Sequence, residues 1–363
     1  MRILITGICG FAGSVIARGI LESMPGVRIT GIDSLIRKGS ETNLEPLRSL
    51  GIDVRIGDIR SPDDLAALPA VDWVIDSAAN PSVLAGVDGK TSAKDLLDHN
   101  LGGTINLLEY CRRHQAGFLL LSTSRVYSIE PLARLPVKVD NHAFSPVFDN
   151  PAHDPSPLHV APPLSSLGLT EQFSTEPPIS LYGSSKKCSE LLALEYGMTF
   201  DFPVRINRCG VLAGAGQFGK ADQGIFSYWI HSWATRRPLK YIGFGGRGYQ
   251  VRDCLHPRDL VPLIISQTGD PGRDVPVVLN VSGGIESATS LAQLSAWCGG
   301  RFGSHQVIAD AEPRPFDIPW MVLDSSPVKR AWNWQPQIMV EEILEEIAQH
   351  ALSAPEWLEL TGG

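Results

Sequence analysis

The chain has 363 residues, 43% of them hydrophobic and 19% charged, a balance that fits a globular protein with a sizeable core and excludes a disordered or fibrous one. Lys+Arg 31 against Asp+Glu 39 leaves a formal net charge of −8, which argues against a basic face for nucleic acid or for an anionic membrane surface. No apolar run reaches the roughly 20 residues that span a bilayer, and strand-like residues begin at Arg2, so a cytoplasmic protein without a cleaved leader is expected.

Arg2 to Thr6 reads as a buried strand and Gly13 to Leu21 as a helix, with further strands at Val27 to Ile32, Asp53 to Gly57, Val71 to Ser77 and Gly117 to Ser122. Strands alternating with helices imply right-handed βαβ crossovers. The fold class is therefore α/β, a doubly wound parallel sheet of the Rossmann type whose ligands sit at the carboxyl ends of the strands. Residues 128–181 then hold ten of the 27 prolines. That density argues against regular elements, and the stretch reads as an ordered flap beside the site, inserted into a dinucleotide-binding domain of residues 1–210.

A helix from Ser184 to Thr199 and a strand from Val204 to Arg208 follow. Residues 211–352 carry glycine-rich turns and amphipathic segments at Ile225 to Ala234, Ser290 to Cys298 and Val340 to Leu352. They read as a smaller mixed α/β substrate domain, with elements near 252–280 returning to the first domain. The six cysteines stand singly with no C-x-x-C spacing, so neither a metal site nor a redox pair is expected.

Thr6-Gly7-Ile8-Cys9-Gly10-Phe11-Ala12-Gly13 closes the first strand and opens the first helix. Glycines at that spacing let backbone approach a pyrophosphate, and the helix N-terminus stabilises its charge. Asp33, 20 positions after Gly13, ends the second strand, where a carboxylate accepts ribose hydroxyls and repels a 2′-phosphate. NAD is thus favoured, with NADP kept as the alternative by Arg37 and Lys38. Asp58 and Ile59 after the third strand are candidates for adenine contact, and Ala78 and Ala79 after the fourth leave room for the cofactor; turn chemistry alone is the competing explanation.

Tyr182-Gly183-Ser184-Ser185-Lys186 places a phenol and an ammonium one helical turn apart, and a nearby cation lowers a phenol's pKa toward the working range of a base. Leu121-Ser122-Thr123-Ser124-Arg125-Val126-Tyr127 ends the fifth strand and puts a hydroxyl, Thr123, beside the cofactor. Asn100 lies on the preceding helix, either as a cofactor contact or as a buried structural amide.

Together these residues resemble the extended short-chain dehydrogenase/reductase family, in its nucleotide-sugar epimerase and dehydratase branch. The resemblance runs from about residue 2 to residue 350 and implies Tyr182 as catalytic base, Lys186 as its electrostatic partner and nicotinamide-ribose ligand, and Thr123 as the hydroxyl that polarises the sugar oxygen. Gln250-Val251-Arg252-Asp253-Cys254-Leu255-His256 and Glu312-Pro313-Arg314-Pro315-Phe316-Asp317 are similar to family segments in which both arginines hold the substrate diphosphate and the aspartate a ribose. Asp222 to Trp229, including the candidate substrate residue Gln223, and Ile36-Arg37-Lys38-Gly39 are similar to the CDP-tyvelose (CDP-paratose) 2-epimerase subgroup.

Dehydratases carry Asp-Glu after the threonine, where this chain has Ser124-Arg125. Loss of that acid disfavours elimination and favours epimerisation, a reaction of hydride and proton transfer alone. A net NAD(P)-dependent dehydrogenase or reductase is the alternative, and a dinucleotide-sensing protein without catalysis the third reading. Departures from the family pattern are Val211 in place of a diphosphate-binding Asn and Ser128 in place of Gly. The family habit implies a homodimer.

Overall fold

The computed structural model describes residues 1–87, 89, 92–147, 163–220 and 223–363. Seven strands form one parallel sheet: β1 (Arg2–Thr6), β2 (Arg28–Asp33), β3 (Asp53–Ile56), β4 (Trp73–Asp76), β5 (Gly117–Thr123), β6 (Val204–Cys209) and β7 (Val278–Val281). Their spatial order is β7-β6-β5-β4-β1-β2-β3, every neighbouring pair parallel. The order in which successive strands are added reverses between β1 and β4, and that switch point opens a crevice at the carboxyl ends of the strands.

The central strands read as continuous apolar runs because helices cover both faces. Alternation along β1 sends Ile3 and Ile5 into one core with Ile16, Ile20, Leu260 and Ile264, and Leu4 into the other with Val74, Leu107, Phe118 and Leu120. The helix Phe11–Ser23 packs against Pro257–Gly269 at Gly19, where a Cβ would lie 2.6 Å from a Val261 methyl carbon. The chain near 257–281 thus sits on and in the main sheet.

A smaller domain covers the crevice. Val211–Leu212, Val251–Leu255, Ala288–Ser290 and Trp320–Met321 form its four-stranded sheet, and Leu239–Ile242 pairs with Val307–Asp310. Phe226, Trp229 and Trp233 of the helix Ile225–Ala234 are buried against Ile343, Leu344 and Ile347 of the helix Val340–Ser353. All six cysteines are free, five of them buried.

The proline-rich stretch corrects the expectation of irregular chain. It holds a helix at Ile129–Ala133, a hairpin of Val137–Asp140 and Ala143–Pro146, and a short pair of Leu164–Ser165 with Gly168–Leu169. Pro131 falls in the first helical turn, where no intrahelical N–H bond is lost, and Pro136 and Pro146 stand just before and at the end of their strands. None of the stretch's described residues lines the crevice. Phe144 N donates to Tyr249 O at 2.9 Å, Ser290 Oγ to His142 O at 2.7 Å and Leu169 N to Val322 O at 2.8 Å, so it docks on the C-terminal domain. Ser128 Oγ, the departure from glycine, bonds Ser174 Oγ at 2.8 Å and Glu176 O at 2.6 Å and fastens its two ends together. Residues 148–162 of the expected flap lie outside the described residues.

Candidate active site

The crevice is a cavity of about 760 Å³ running from the first glycine turn to the C-terminal domain. At one end Gly7, Gly10, Phe11, Ala12 and Gly13 form its wall. Gly7 has φ +60°, and a Cβ on it would lie 2.9 Å from Ala78 Cα; a Cβ on Gly13 would lie 2.3 Å from Gly7 O. Bare backbone at the start of a 13-residue helix is a surface for a pyrophosphate. Asp33 lines the same end, its carboxylate accepting from Cys9 N and Leu35 N, both at 2.9 Å. Burial raises its pKa, opposed by the backbone amides of Leu35, Cys9 and Gly10.

Asp58, Ile59, Ala78 and Ala79 also line this end. Asp58 turns its carboxylate to Arg60 Nη2 at 2.6 Å, so its side chain is committed within the turn. Arg37 donates to Gln223 Oε1 at 2.6 Å and Phe218 O at 3.3 Å, and Lys38 to Glu359 O at 2.7 Å. Both cations that kept NADP open are thus tied to the C-terminal part of the chain, and Gln223, although on the cavity wall, serves as an anchor for Arg37.

Thr123, Tyr182 and Lys186 meet at mid-cavity. Tyr182 is hydrogen-bonded to the Thr123 side chain; burial raises the phenol's pKa, while that bond and the charge of Arg125 lower it. Arg125 is thus a cation acting on the phenol that the helical spacing, which pointed to Lys186, did not single out. Lys186 is 2% exposed, and burial lowers its pKa against the charges of Asp76 and Glu190, which raise it. Asp76 in turn accepts from Thr6 Oγ1 at 2.7 Å and Thr104 Oγ1 at 3.2 Å.

Behind this face the helix Ser180–Phe200 is fixed by a buried ion pair. Arg208 Nε and Nη2 meet the two Glu190 oxygens at 2.9 and 2.7 Å, Ser122 Oγ donates to Glu190 at 2.6 Å, and Arg208 Nη1 reaches Tyr127 Oη at 3.2 Å. Burial raises the Glu190 pKa, but Arg208, Ser122 and Lys187 outweigh it and leave the carboxyl below its ordinary value.

Of the two readings of Asn100, the geometry fits the buried structural amide. It is 2% exposed and absent from the cavity wall, because Asn80 N, Asn80 O and Ser185 Oγ use its amide at 2.8, 3.1 and 3.0 Å. It lies in one turn of π-helix, Asp98–Gly102, and joins the loop after β4 to the helix of Tyr182.

Arg252, Arg314 and Asp317 line the far end. Arg252 Nη2 pairs with Asp317 Oδ1 at 3.2 Å, and Gln250 Nε2 donates to Asp317 Oδ2 at 3.2 Å. Arg125 and Lys240, which no spacing singled out as ligands, lie on the wall as well, as does Val211. The network of Asp76, Glu190 and Arg208 was equally invisible in the sequence, since each residue is isolated there and only the fold joins them. Among the described residues no group of three or more His, Cys, Asp or Glu is placed to hold a metal ion, and no helix is long and apolar enough to cross a membrane.

The family model described as the NAD dependent epimerase/dehydratase family matches residues 3–277. The chain belongs to that family. Among curated members, this epimerase/dehydratase is 27% identical over 361 residues to CDP-paratose 2-epimerase of Salmonella typhi, covering 96% of this chain and 98% of that one. It is 31% identical to a dTDP-glucose 4,6-dehydratase of Streptomyces antibioticus over 297 residues, 79% of this chain and 73% of that one. In fold it matches the UDP-glucuronic acid 4-epimerase of Bacillus cereus, solved with UDP-glucuronic acid and NAD, with a TM-score of 0.76 at 22% identity over 97% and 99% of the two chains. The cofactor of the epimerase/dehydratase family is NAD, and the unobstructed glycine turn, the helix N-terminus and the Asp33 carboxylate fit it.

Proposed function

We propose that this family member is an NAD-dependent nucleotide-sugar epimerase, inverting C2 of a CDP-deoxyhexose. One observation carries the reading: Thr123, Tyr182 and Lys186 share a cavity with a glycine-lined anion cradle at one end and arginines at the other, and no acid follows Thr123. The similarity to CDP-paratose 2-epimerase over nearly the whole of both chains supports the choice of carbon and base.

Gly7, Gly10 and Gly13 would hold the cofactor's pyrophosphate, Asp33 its adenosine ribose, and Lys186 the nicotinamide ribose. NAD, when bound, supplies the hydride acceptor that removes hydrogen from the carbinol carbon and gives it back to the opposite face of the keto-sugar. Tyr182 takes the proton of the reacting hydroxyl and later returns it, and Thr123 holds the oxygen in line with that phenol. Lys186, on the same cavity wall, adds a positive charge beside the cofactor. Arg252 and Arg314 bind the diphosphate, with Asp317 orienting Arg252 and facing the nucleotide ribose. Ser124 and Arg125 supply no proton for a leaving hydroxyl, so the sugar keeps all its oxygens.

The first test is to denature the purified protein and weigh what it releases. Stoichiometric NAD is expected, because an epimerase regenerates its cofactor each turnover; an empty protein or one carrying NADP points to net redox chemistry. In heavy water the inverted carbon should remain unlabelled, and deuterium there would overturn hydride return. A primary isotope effect from deuterium at C2, and none from C4, would fix the carbon. A homodimer is part of the same reading: Leu191 and Met198, 52% and 72% exposed one above the other on the helix Ser180–Phe200, offer an apolar strip, and a sedimenting monomer would refute it.

A further inference from the structure

Arg125 holds neither cofactor nor substrate in the reaction just described, yet it stands at the reacting centre. It follows Thr123 by two residues, lines the cavity, and is the arginine whose charge acts on Tyr182. Its backbone leaves little freedom: its N–H donates to Thr123 Oγ1 at 3.2 Å, and a Cβ on Gly183 would lie 2.3 Å from its carbonyl oxygen. Among the described residues its guanidinium makes no hydrogen bond or ion pair. Its charged surroundings are Arg252 and Arg314, the Asp317 carboxylate and the Tyr182 phenol.

Arg125 thus has two further guanidiniums near it, and the carboxylate they face, Asp317, already pairs with Arg252. Burial, with the neighbouring arginines adding to it, pushes the Arg125 guanidinium down to about 10. The unpaired Arg125 fork on this wall is suited to an anion of more than one charge, because planar guanidinium forks match phosphate oxygens two at a time. A diphosphate supplies the charge. Arg252 and Arg314 come from the C-terminal domain, whereas Arg125 sits on the turn that ends β5, beside the phenol.

We propose that Arg125 is a third ligand of the substrate diphosphate and grips the phosphate nearer the sugar. The inference rests on the nucleotide-sugar reading above. It also explains a regiochemistry: a phosphate held beside Tyr182 brings the anomeric carbon close, so the carbon next to it, C2, reaches the phenol while C4 lies across the ring.

The test compares CDP with CMP on the NAD-loaded protein, wild type and Arg125→Met, by titration calorimetry. The wild type should prefer CDP, and Arg125→Met should lose about tenfold of that preference, the value of one charge-assisted contact, while its affinity for CMP and its retained NAD stay unchanged. A variant that keeps the full CDP-over-CMP preference overturns the role of Arg125 alone. A wild type that binds CDP, UDP, dTDP and GDP no better than their monophosphates overturns the nucleotide-sugar reading, and the phosphate grip with it. Should Arg125→Met fail to retain NAD, Arg125→Lys is read on the same ratio: partial loss supports the fork, and an unchanged ratio refutes it.

Discussion

At the cofactor end the cavity wall is backbone, Gly7, Gly10 and Gly13 against Ala78, while at the substrate end it is side-chain charge, Arg125, Arg252, Arg314 and Asp317 brought from three stretches of chain. The first kind of wall excludes every other side chain by contact and is written in eight consecutive residues. The second kind tolerates change one residue at a time, because its members act through charge over several ångströms. Between them Tyr182 depends on both, lying on a helix held by a buried ion pair and beside a cation from the substrate side.

Substitutions at these places separate the two kinds of wall. The largest effect is expected at the junction: Tyr182→Phe should lower turnover by roughly 10²-fold or more, as for loss of a positioned acid/base, with NAD still bound. Near-normal rates in that variant would remove the phenol from the chemistry. Glu190→Ala leaves Arg208 buried without its partner and should cost about 3–5 kcal/mol in urea unfolding. Because the folded Glu190 carboxyl sits below its ordinary value of 4.5, its stabilisation is present above that pH and is lost as pH falls through the lower folded value. Glu190→Gln should therefore flatten the acid limb of the stability profile, and an unchanged limb would show that other carboxylates govern it.

Gly13→Ala probes the backbone wall. A methyl 2.3 Å from Gly7 O forces the turn open and should cost about 1–3 kcal/mol, read as weaker NAD retention with the CDP affinity little changed. Equal loss of both ligands would mean that the two ends are not separable. The smallest effect is a shift in pH alone. Tyr182 is held up by burial and drawn down by Thr123 and Arg125, with the Cys209 thiol opposing them. Arg125→Gln removes a lowering influence, so the acid limb of turnover should move to higher pH, and a fixed limb would assign the phenol's environment to Thr123.

The Asn100 amide and the short helix and hairpin within residues 128–147 mark where sequence patterns ran out. An amide on the helix before β5 has the same spacing whether it meets cofactor or backbone, and only the π-helical turn directs it to Asn80 and Ser185. Proline density registers lost donors without saying that they fall in a first helical turn or at strand ends, where no bond was required. The anchoring of Arg37 by Gln223 joins residues 186 positions apart, a separation across which no local pattern carries information.

The doubly wound sheet, the glycine turn and the candidacy of Asp33, Thr123, Tyr182 and Lys186, which line one cavity, were determined by sequence alone, because periodicity, turn chemistry and helical spacing are local properties of the chain. The partners of Asp76 and Glu190, the gathering of Arg125, Arg252 and Arg314 near Asp317 and the placing of Arg125 beside Tyr182 were decided by the tertiary structure. Charge acts through space and burial, and both exist only once distant segments have packed together.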